Sequence, residues 1–307
     1  MALERNTGWQ VTRLASALGA EVRGPNLADA GPREVGRIRQ LLLEHLVLFF
    51  PDQAWSAEEH LAFGRHFGPL EGHPNLKNPF TEHDEIFELA ASHGGVADEW
   101  HTDLTFQEQP ALLSILHMTR CPETGGDTLW TSLYAAYEGL SAPLRDLCDG
   151  LTALHDAQPH NRPDQVAVHP VVRVHPETGR KALYVNELFT RRIVEMHPAE
   201  SDALLGYLTN WVKSPQFTVR RRWSEGTVAI WDNRCTQHTV LNDFTGERIV
   251  QRVTVVGDRV EGAPPRWQPA LRTARRTAAS RHDRQLYSYL KANGSIPEPE
   301  ETTAAGR

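Results

Sequence analysis

Trp100-His101-Thr102-Asp103-Leu104-Thr105-Phe106 is the stretch on which the reading of this chain turns. An imidazole and a carboxylate sit two residues apart in His101-x-Asp103. On an extended strand, positions i and i+2 face the same way, so both side chains can aim at one point. A divalent metal there needs a third ligand. The best candidate is His238, far downstream in Trp231-Asp232-Asn233-Arg234-Cys235-Thr236-Gln237-His238. Two histidines and a carboxylate on one side of a metal leave the opposite positions open, the arrangement of non-haem Fe(II) oxygenases. Taken alone, His-x-Asp is common by chance, and most such pairs are surface hydrogen bonds or caps.

Outward from this stretch, short apolar runs alternate with turns. Downstream, the pattern predicts strands at Leu112–Met118, Thr128–Trp130, Val171–Val174, Ala182–Val185, Phe217–Arg220, Thr227–Trp231 and Ile249–Val256. Pro176-Glu177-Thr178-Gly179 joins the third and fourth as a hairpin. Leu133–Leu140, Pro143–Leu151 and Pro198–Val212 read as helices. Upstream, residues 9–24 read as two short strands. Pro32 opens a helix over 32–45 that carries Val35, Ile38, Leu41 and Leu42 at helical spacing. Leu46–Phe50 is a continuous apolar run ended by Pro51, which marks a buried strand. Ser56-Ala57-Glu58-Glu59 is a capping box opening a helix to about Phe67. Residues 71–99 are loop-rich, with one strand at Ile86–Leu89, and are a candidate lid over the site. Many short strands with a few peripheral helices give a mainly β fold, a sandwich or barrel. Glu261–Pro265 reads as a boundary. It separates a domain over 1–260 from a C-terminal extension, 261–307, with a basic helix over Ala270–Ala292 (Arg272, Arg275, Arg276, Arg281, Arg284) and a disordered tail.

Composition narrows the class. The net charge of −7 and pI near 6.1 give no argument for nucleic acid or an anionic membrane as partner. No apolar run is long enough to span a bilayer. The N-terminus lacks a basic-then-apolar signal pattern. Three scattered cysteines, Cys121, Cys148 and Cys235, form no zinc ribbon or disulfide framework, and a reducing cytoplasm fits.

An Fe(II) centre that uses a 2-oxo acid also needs a cation for that acid's distal carboxylate, and arginine suits it by bidentate geometry. Arg248 lies ten residues after His238, just before the strand at 249–256, and Arg252 lies four further on. Alternation aims both at one face, although arginines at strand edges are usually solvated. Thr128, after the Gly125-Gly126-Asp127 turn, has a hydroxyl for the same carboxylate, or is an ordinary β-branched strand residue.

These stretches together closely resemble the taurine/2,4-D dioxygenase (TauD/TfdA) family over roughly residues 9–260. His175-Pro176-Glu177-Thr178-Gly179 and Val185-Asn186-Glu187 extend the match. The resemblance implies a double-stranded β-helix, or jelly-roll, core holding one Fe(II), with 2-oxoglutarate and O2 as co-substrates. It implies His101, Asp103 and His238 as iron ligands. It assigns Thr128 and Arg248 to the distal carboxylate of 2-oxoglutarate and Arg252 to an anionic group of the substrate. His73, in Gly72-His73-Pro74, matches a substrate-binding histidine, and Phe189 an aromatic of the pocket; a loop histidine and a core aromatic are the plain alternatives. The implied reaction couples oxidative decarboxylation of 2-oxoglutarate, to succinate and CO2, with hydroxylation of a substrate C–H. Relatives are commonly dimers or tetramers, so a homodimer or homotetramer is expected.

The chain departs from taurine dioxygenases around the pocket. Those enzymes have polar residues shortly before His-x-Asp and a tyrosine three positions after the loop histidine. This chain has Gly94-Gly95-Val96-Ala97 and Leu76. An ammonium placed there would lose hydrogen bonds worth about 1–3 kcal/mol or more. The expected substrate is a small anion with an apolar body: an alkyl sulfonate, alkyl sulfate, aryloxyalkanoate or other carboxylate. Taurine itself, or a carboxylic or amino acid taken by a biosynthetic hydroxylase, is the alternative. A cupin-like metal binder would need no anion clamp, a chlorinating relative would lack Asp103, and a zinc hydrolase would need a general base that is not evident.

Overall fold

The computed structural model describes residues 8–76, 82–94, 96–271 and 281–295. The chain opens with β1 (Gln10–Arg13), β2 (Ala20–Arg23), α1 (Pro32–His45), β3 (Val47–Phe50), α2 (Ala57–Arg65), β4 (Leu70–Glu71) and β5 (Ile86–Ala90). After the His101 segment come β6 (Leu113–Arg120), β7 (Thr128–Ser132), α3 (Leu133–Glu138), α4 (Ala142–Cys148), β8 (Thr152–Ala157) and β9 (Arg162–Pro170). Then follow β10 (Val172–Val174), β11 (Lys181–Leu183), β12 (Thr190–Ile193), α5 (Pro198–Trp211), β13 (Thr218–Arg221), β14 (Val228–Asp232), β15 (Thr236–Val240), β16 (Ile249–Val255) and α6 (Arg281–Ala292).

One large sheet runs β1-β2-β3-β14-β6-β16-β4, with β5 also on β16; of its pairings only β2–β3 is parallel. Facing it is a small antiparallel sheet, β13-β7-β15, and β12-β8-β9 and the β10–β11 hairpin form separate small sheets. The apolar run at 47–50 follows from its central place. Val47 and Phe49 pack with Trp130, Trp231 and Met118 between the sheets. Leu48 and Phe50 turn the other way, onto Val35, Ile38 and Leu42 of α1 and Phe63 of α2. A strand covered on both faces has no polar side to alternate with.

The helix starts obey local chemistry. Pro32 sits in the first turn of α1. At α2, Glu59 N donates to Ser56 Oγ (3.2 Å) and Ser56 N to Glu59 Oε2 (2.6 Å), closing the capping box.

Five strands were not marked by pattern: β4, β8, β9, β12 and β15. Their sequences, such as Thr152-Ala153-Leu154-His155-Asp156-Ala157 and Thr236-Gln237-His238-Thr239-Val240, are mixed or polar, yet most of these side chains are buried. Periodicity of apolar residues cannot mark a strand whose inward residues are His, Asp, Thr and Gln. Of the helix expected over Ala270–Ala292, 281–292 is helical; Arg272, Arg275 and Arg276, and the tail from Pro297, lie outside the described residues. Among the described residues no helix is long and apolar enough to cross a membrane.

Candidate active site

His238 is the middle residue of β15, opposite Trp130 of β7. Its ring lies 4.7 Å from the Trp231 ring and stacks at 6.3 Å on Trp130, so two fully buried tryptophans fix its orientation. His101 reaches β15 through a one-residue antiparallel bridge: His101 N donates to His238 O (3.0 Å) and His238 N to His101 O (2.9 Å). The two imidazoles come to 4.2 Å between centroids. His101 and Asp103 do not share a strand face as the spacing suggested, since the chain leaves the sheet at once. Thr102 Oγ1 donates to Thr236 O (2.7 Å), Leu104 takes φ +58°, and Asp103 sits in the turn between them. The turn, rather than strand alternation, swings the carboxylate under the imidazoles.

One nitrogen of His101, one of His238 and an Asp103 oxygen all lie within 4.8 Å of one another, and all three residues are buried. His101 Nδ1 lies 2.7 Å from Glu99 O, which can only accept, so Nδ1 carries the proton and Nε2 presents its lone pair. Burial first, against the opposing pull of Asp103, lowers the pKa of His101. Burial, then the neighbouring His101, holds His238 well below its ordinary value. Both rings are therefore neutral at neutral pH. His238 Nδ1 is buried without a hydrogen-bond partner.

The carboxylate is equally prepared. Ser114 Oγ donates to Asp103 Oδ2 (2.8 Å), and Asn233 Nδ2 donates in turn to Ser114 Oγ (2.9 Å). Oδ1 faces inward, 3.7 Å from His101 Nε2 and 2.6 Å from Arg252 Nη1. Burial pushes the Asp103 pKa up, but Arg252, then the two histidines and Ser114, outweigh it and hold it below the ordinary carboxylate range. Two neutral imidazoles and one ionised carboxylate form a donor set that suits a divalent first-row metal.

Beside the triad lies a small, enclosed cavity whose lining includes Thr128, Arg248, His238 and Arg252. The double glycine explains its shape. Gly125 and Gly126 have φ +77° and +69°, and a Cβ on Gly126 would crowd Arg248 Cδ at 3.3 Å. Arg248 Nε donates to Gly126 O (3.1 Å) and its Nη2 to Thr128 Oγ1 (3.3 Å). Trp223 Nε1 also donates to Thr128 Oγ1 (2.9 Å), which leaves the threonine's own proton free for an acceptor. Arg248 and Arg252 are only 3% and 7% exposed, unlike ordinary strand-edge arginines. Burial lowers Arg248 to about 10, so it stays cationic at neutral pH.

A wider cleft of about 520 Å3 opens from Asp103 and His101. It shares Leu89, Ala97 and Arg252 with the enclosed cavity. His73 and Phe189 both line it, as do Leu76, Gly94, Val96 and Ala97, the apolar replacements singled out in the sequence. Asn75 N and Leu76 N both donate to His73 Nδ1 (3.2 and 3.0 Å), so the neutral ring carries its proton on Nε2. Burial, then Arg252, lowers His73 to about 3, which keeps it neutral.

One lining residue had escaped the sequence reading. His160 packs edge-on against His73 (4.8 Å) and near Phe189 (5.5 Å), and burial lowers it to about 4. It stands in the short 3-10 turn Gln158–His160 between β8 and β9, two strands that pattern did not mark. With fifteen histidines in the chain, composition offered no means of selecting it.

A second buried group, His175, Asp232 and Cys235, could also hold a metal by proximity. Its members are already committed. His175 Nε2 lies 3.1 Å from Asp232 Oδ2, its Nδ1 accepts from Glu177 N and Thr178 N, and Arg234 spans both Asp232 oxygens. This is a structural lock on the turn between β14 and β15.

The geometry agrees with comparison to known proteins. The family described as taurine catabolism dioxygenase TauD, TfdA family, matches residues 10–254. The chain belongs to the TauD/TfdA family. Among its members, this chain is 37% identical to the alkylsulfatase of Acinetobacter baylyi over 278 residues, covering 83% of this chain and 87% of that protein. It is 37% identical to an α-ketoglutarate-dependent sulfate ester dioxygenase of Pseudomonas putida, covering 80% of this chain and 88% of that protein. The crystal structure of a taurine dioxygenase from Burkholderia xenovorans superposes with a TM-score of 0.74 at 40% identity, covering 83% and 93% of the two chains. The mainly β architecture is thus that of TauD/TfdA dioxygenases, and the chain is an α-ketoglutarate-dependent dioxygenase.

Proposed function

We propose that the protein is an Fe(II)- and 2-oxoglutarate-dependent dioxygenase that oxidises a small anion with an apolar body, and that an alkyl sulfate ester is the substrate class it fits best. The observation that carries this reading is the makeup of the cleft beside Asp103. Leu76, Val96, Ala97 and Phe189 give it an apolar wall, while Arg252 and the Nε2–H of His73 stand ready for an anion. Glu88, Asp98 and Glu99 also line the cleft, so taurine's ammonium is tested directly against the apolar anions rather than excluded by the lining. The alkylsulfatase and sulfate ester dioxygenase relatives favour a sulfate ester over a sulfonate or an aryloxyalkanoate.

In this reading His101, Asp103 and His238 hold the iron, with Asp103 Oδ1 as the carboxylate ligand because Ser114 engages Oδ2. Bound iron supplies O2 activation coupled to decarboxylation of 2-oxoglutarate. The remaining work belongs to the protein. Arg248 and the Thr128 hydroxyl hold the distal carboxylate of 2-oxoglutarate. Arg252 and His73 orient the sulfate, and Phe189 with the apolar wall excludes water from the reacting carbon. Hydroxylation of the carbon bearing the ester oxygen gives a hemiacetal-like adduct that collapses to an aldehyde and sulfate. The two facing sheets are, in this account, the halves of a double-stranded β-helix with the metal near one mouth. The account also expects a cytoplasmic homodimer or homotetramer.

The test is a panel of alkyl sulfates, alkyl sulfonates, aryloxyalkanoates and taurine with Fe(II), ascorbate and 2-oxoglutarate. Substrate-dependent succinate with stoichiometric sulfate from an alkyl sulfate supports the proposal. Taurine turnover equal to that of the best apolar anion overturns it.

A further inference from the structure

The wall of the cleft that carries His160 and Phe189 is held by one carboxylate. Asp156, the penultimate residue of β8, has no solvent exposure. Its Oδ1 accepts from Gln158 N (3.1 Å), which fixes the turn bearing His160, and from Arg191 Nε (2.7 Å). Its backbone N donates to Phe189 O (3.0 Å). The Gln158–His160 turn and the 188–191 segment are thereby tied to one side chain.

The C-terminal helix reaches the same carboxylate from outside. Arg281 Nη2 donates to Asp156 Oδ2 (3.1 Å), and Gln285 Nε2 lies 3.5 Å from the same oxygen while donating to Pro163 O just past the turn. Leu286 and Leu290 bury their side chains against Leu154 and Val194. Tyr289 OH donates to Glu108 Oε1 (2.5 Å), on the segment that continues from Asp103 through Leu104 and Phe106. Helix α6 thus contacts or ties down each segment of that wall: the turn, the Phe189 segment and the run after Asp103. It lies beyond the residues matched to the family, 10–254.

We propose that α6 is a strap and that Arg281 and Gln285 are positioning residues for the substrate wall, acting through Asp156. The inference rests on the reading of this cleft as the substrate site. Arg191 still pairs with Asp156 when Arg281 is gone, so the carboxylate is not stranded and the fold survives the change. What is lost is the external brace. A wall free to shift by about an ångström can cost up to roughly a hundredfold in productive positioning.

The experiment uses the full chain, with the double variant Arg281→Met/Gln285→Ala and the single variant Arg281→Lys. On metal-free protein, hydrogen–deuterium exchange of the double variant is expected to rise in residues 158–163 and 187–191 and to stay unchanged in β14 and β15. In the loaded enzyme, KM for hexyl sulfate is expected to rise about tenfold, while KM for 2-oxoglutarate and kcat hold. Arg281→Lys is expected to recover most of the KM. Unchanged exchange in the wall overturns the proposal. So does a uniform rise in exchange with a fall in kcat, which would make α6 a plain stabiliser. If the wild type turns over no alkyl sulfate, the functional reading fails on its own, and the exchange arm still decides whether α6 braces the wall.

Discussion

Replacing Arg252 by methionine isolates the electrostatic design of the centre. Arg252 Nη1 sits 2.6 Å from Asp103 Oδ1, the oxygen assigned to iron, and both side chains are less than 10% exposed. The variant keeps much of the aliphatic bulk but strands a buried carboxylate. Breaking such a pair from one side costs about 3–5 kcal/mol. Coulomb's law gives a similar figure, about 4 kcal/mol for unit charges 4 Å apart at an effective dielectric of 20. In metal-free protein the variant should therefore lose about 4 kcal/mol, which is on the order of 10 °C in Tm for a chain of this size. A divalent ion replaces the missing charge at the same oxygen, so Mn(II) should raise the Tm of Arg252→Met well beyond its effect on the wild type. Calorimetry of both proteins with and without Mn(II) reads this directly. Equal metal-induced shifts in the two proteins would refute the reasoning, because Arg252 and the metal would then not be acting on one carboxylate.

Other expectations follow from neighbouring contacts. His238→Ala should abolish succinate release, and calorimetric titration should find Mn(II) affinity lost while circular dichroism reports the fold retained. Thr128→Val removes a hydroxyl from the Arg248 cavity and should raise KM for 2-oxoglutarate by about 10- to 100-fold, the equivalent of one hydrogen bond to a charged group at about 1.5–3 kcal/mol; steady-state kinetics measures it. Stability should fall on mild acidification. Burial lowers His60 to about 3 and His169 to about 4, so the native state keeps both neutral while the unfolded chain takes up protons near pH 6.5. Stabilisation present above about pH 6.5 is lost as pH falls toward those folded values, at about 2 kcal/mol per histidine by pH 5. Burial raises Glu71 and Glu195, so their protonation in the folded state offsets part of this loss as pH falls through their raised values. Urea midpoints at about pH 7 and pH 5.5 decide it, and a flat profile would contradict the burial argument. Ser56→Ala opens the capping box of α2 and should cost about 1 kcal/mol in the same urea assay.

Much of this site could be read from the sequence, and the reason is local chemistry. The Gly-Gly turn before Thr128 requires positive φ, which glycine supplies, and it aims Thr128 and Arg248 at one cavity. The arginines four residues apart, Arg248 and Arg252, are both buried on the β16 side of the site, as alternation suggested. The apolar stretch before His101 and Leu76 do reach the cleft. Other features were hidden by their own composition. β15 carries His238 yet reads as a polar run, and two of its hydrophilic side chains pair with neighbours that only the fold supplies. Thr236 Oγ1 donates to Asp232 O and Gln237 Nε2 to Val185 O. The β8–β9 pair is buried partly through His155, Asp156 and His169, so no period-2 signal marks it, and His160 on its connecting turn stayed out of view. Asp103 reached the predicted cluster by a turn with Leu104 at φ +58°, a backbone choice that no residue type announces.

The central claim is that the triad, the arginine cavity and the apolar cleft form one oxidising site for an apolar anion. Its most direct measurement is product stoichiometry with an alkyl sulfate such as hexyl sulfate under Fe(II), 2-oxoglutarate and O2. The account predicts succinate, sulfate and hexanal in equal amounts, all abolished by omitting iron or 2-oxoglutarate. Sulfate release that persists without iron and 2-oxoglutarate, or succinate release indifferent to the anion supplied, would contradict it.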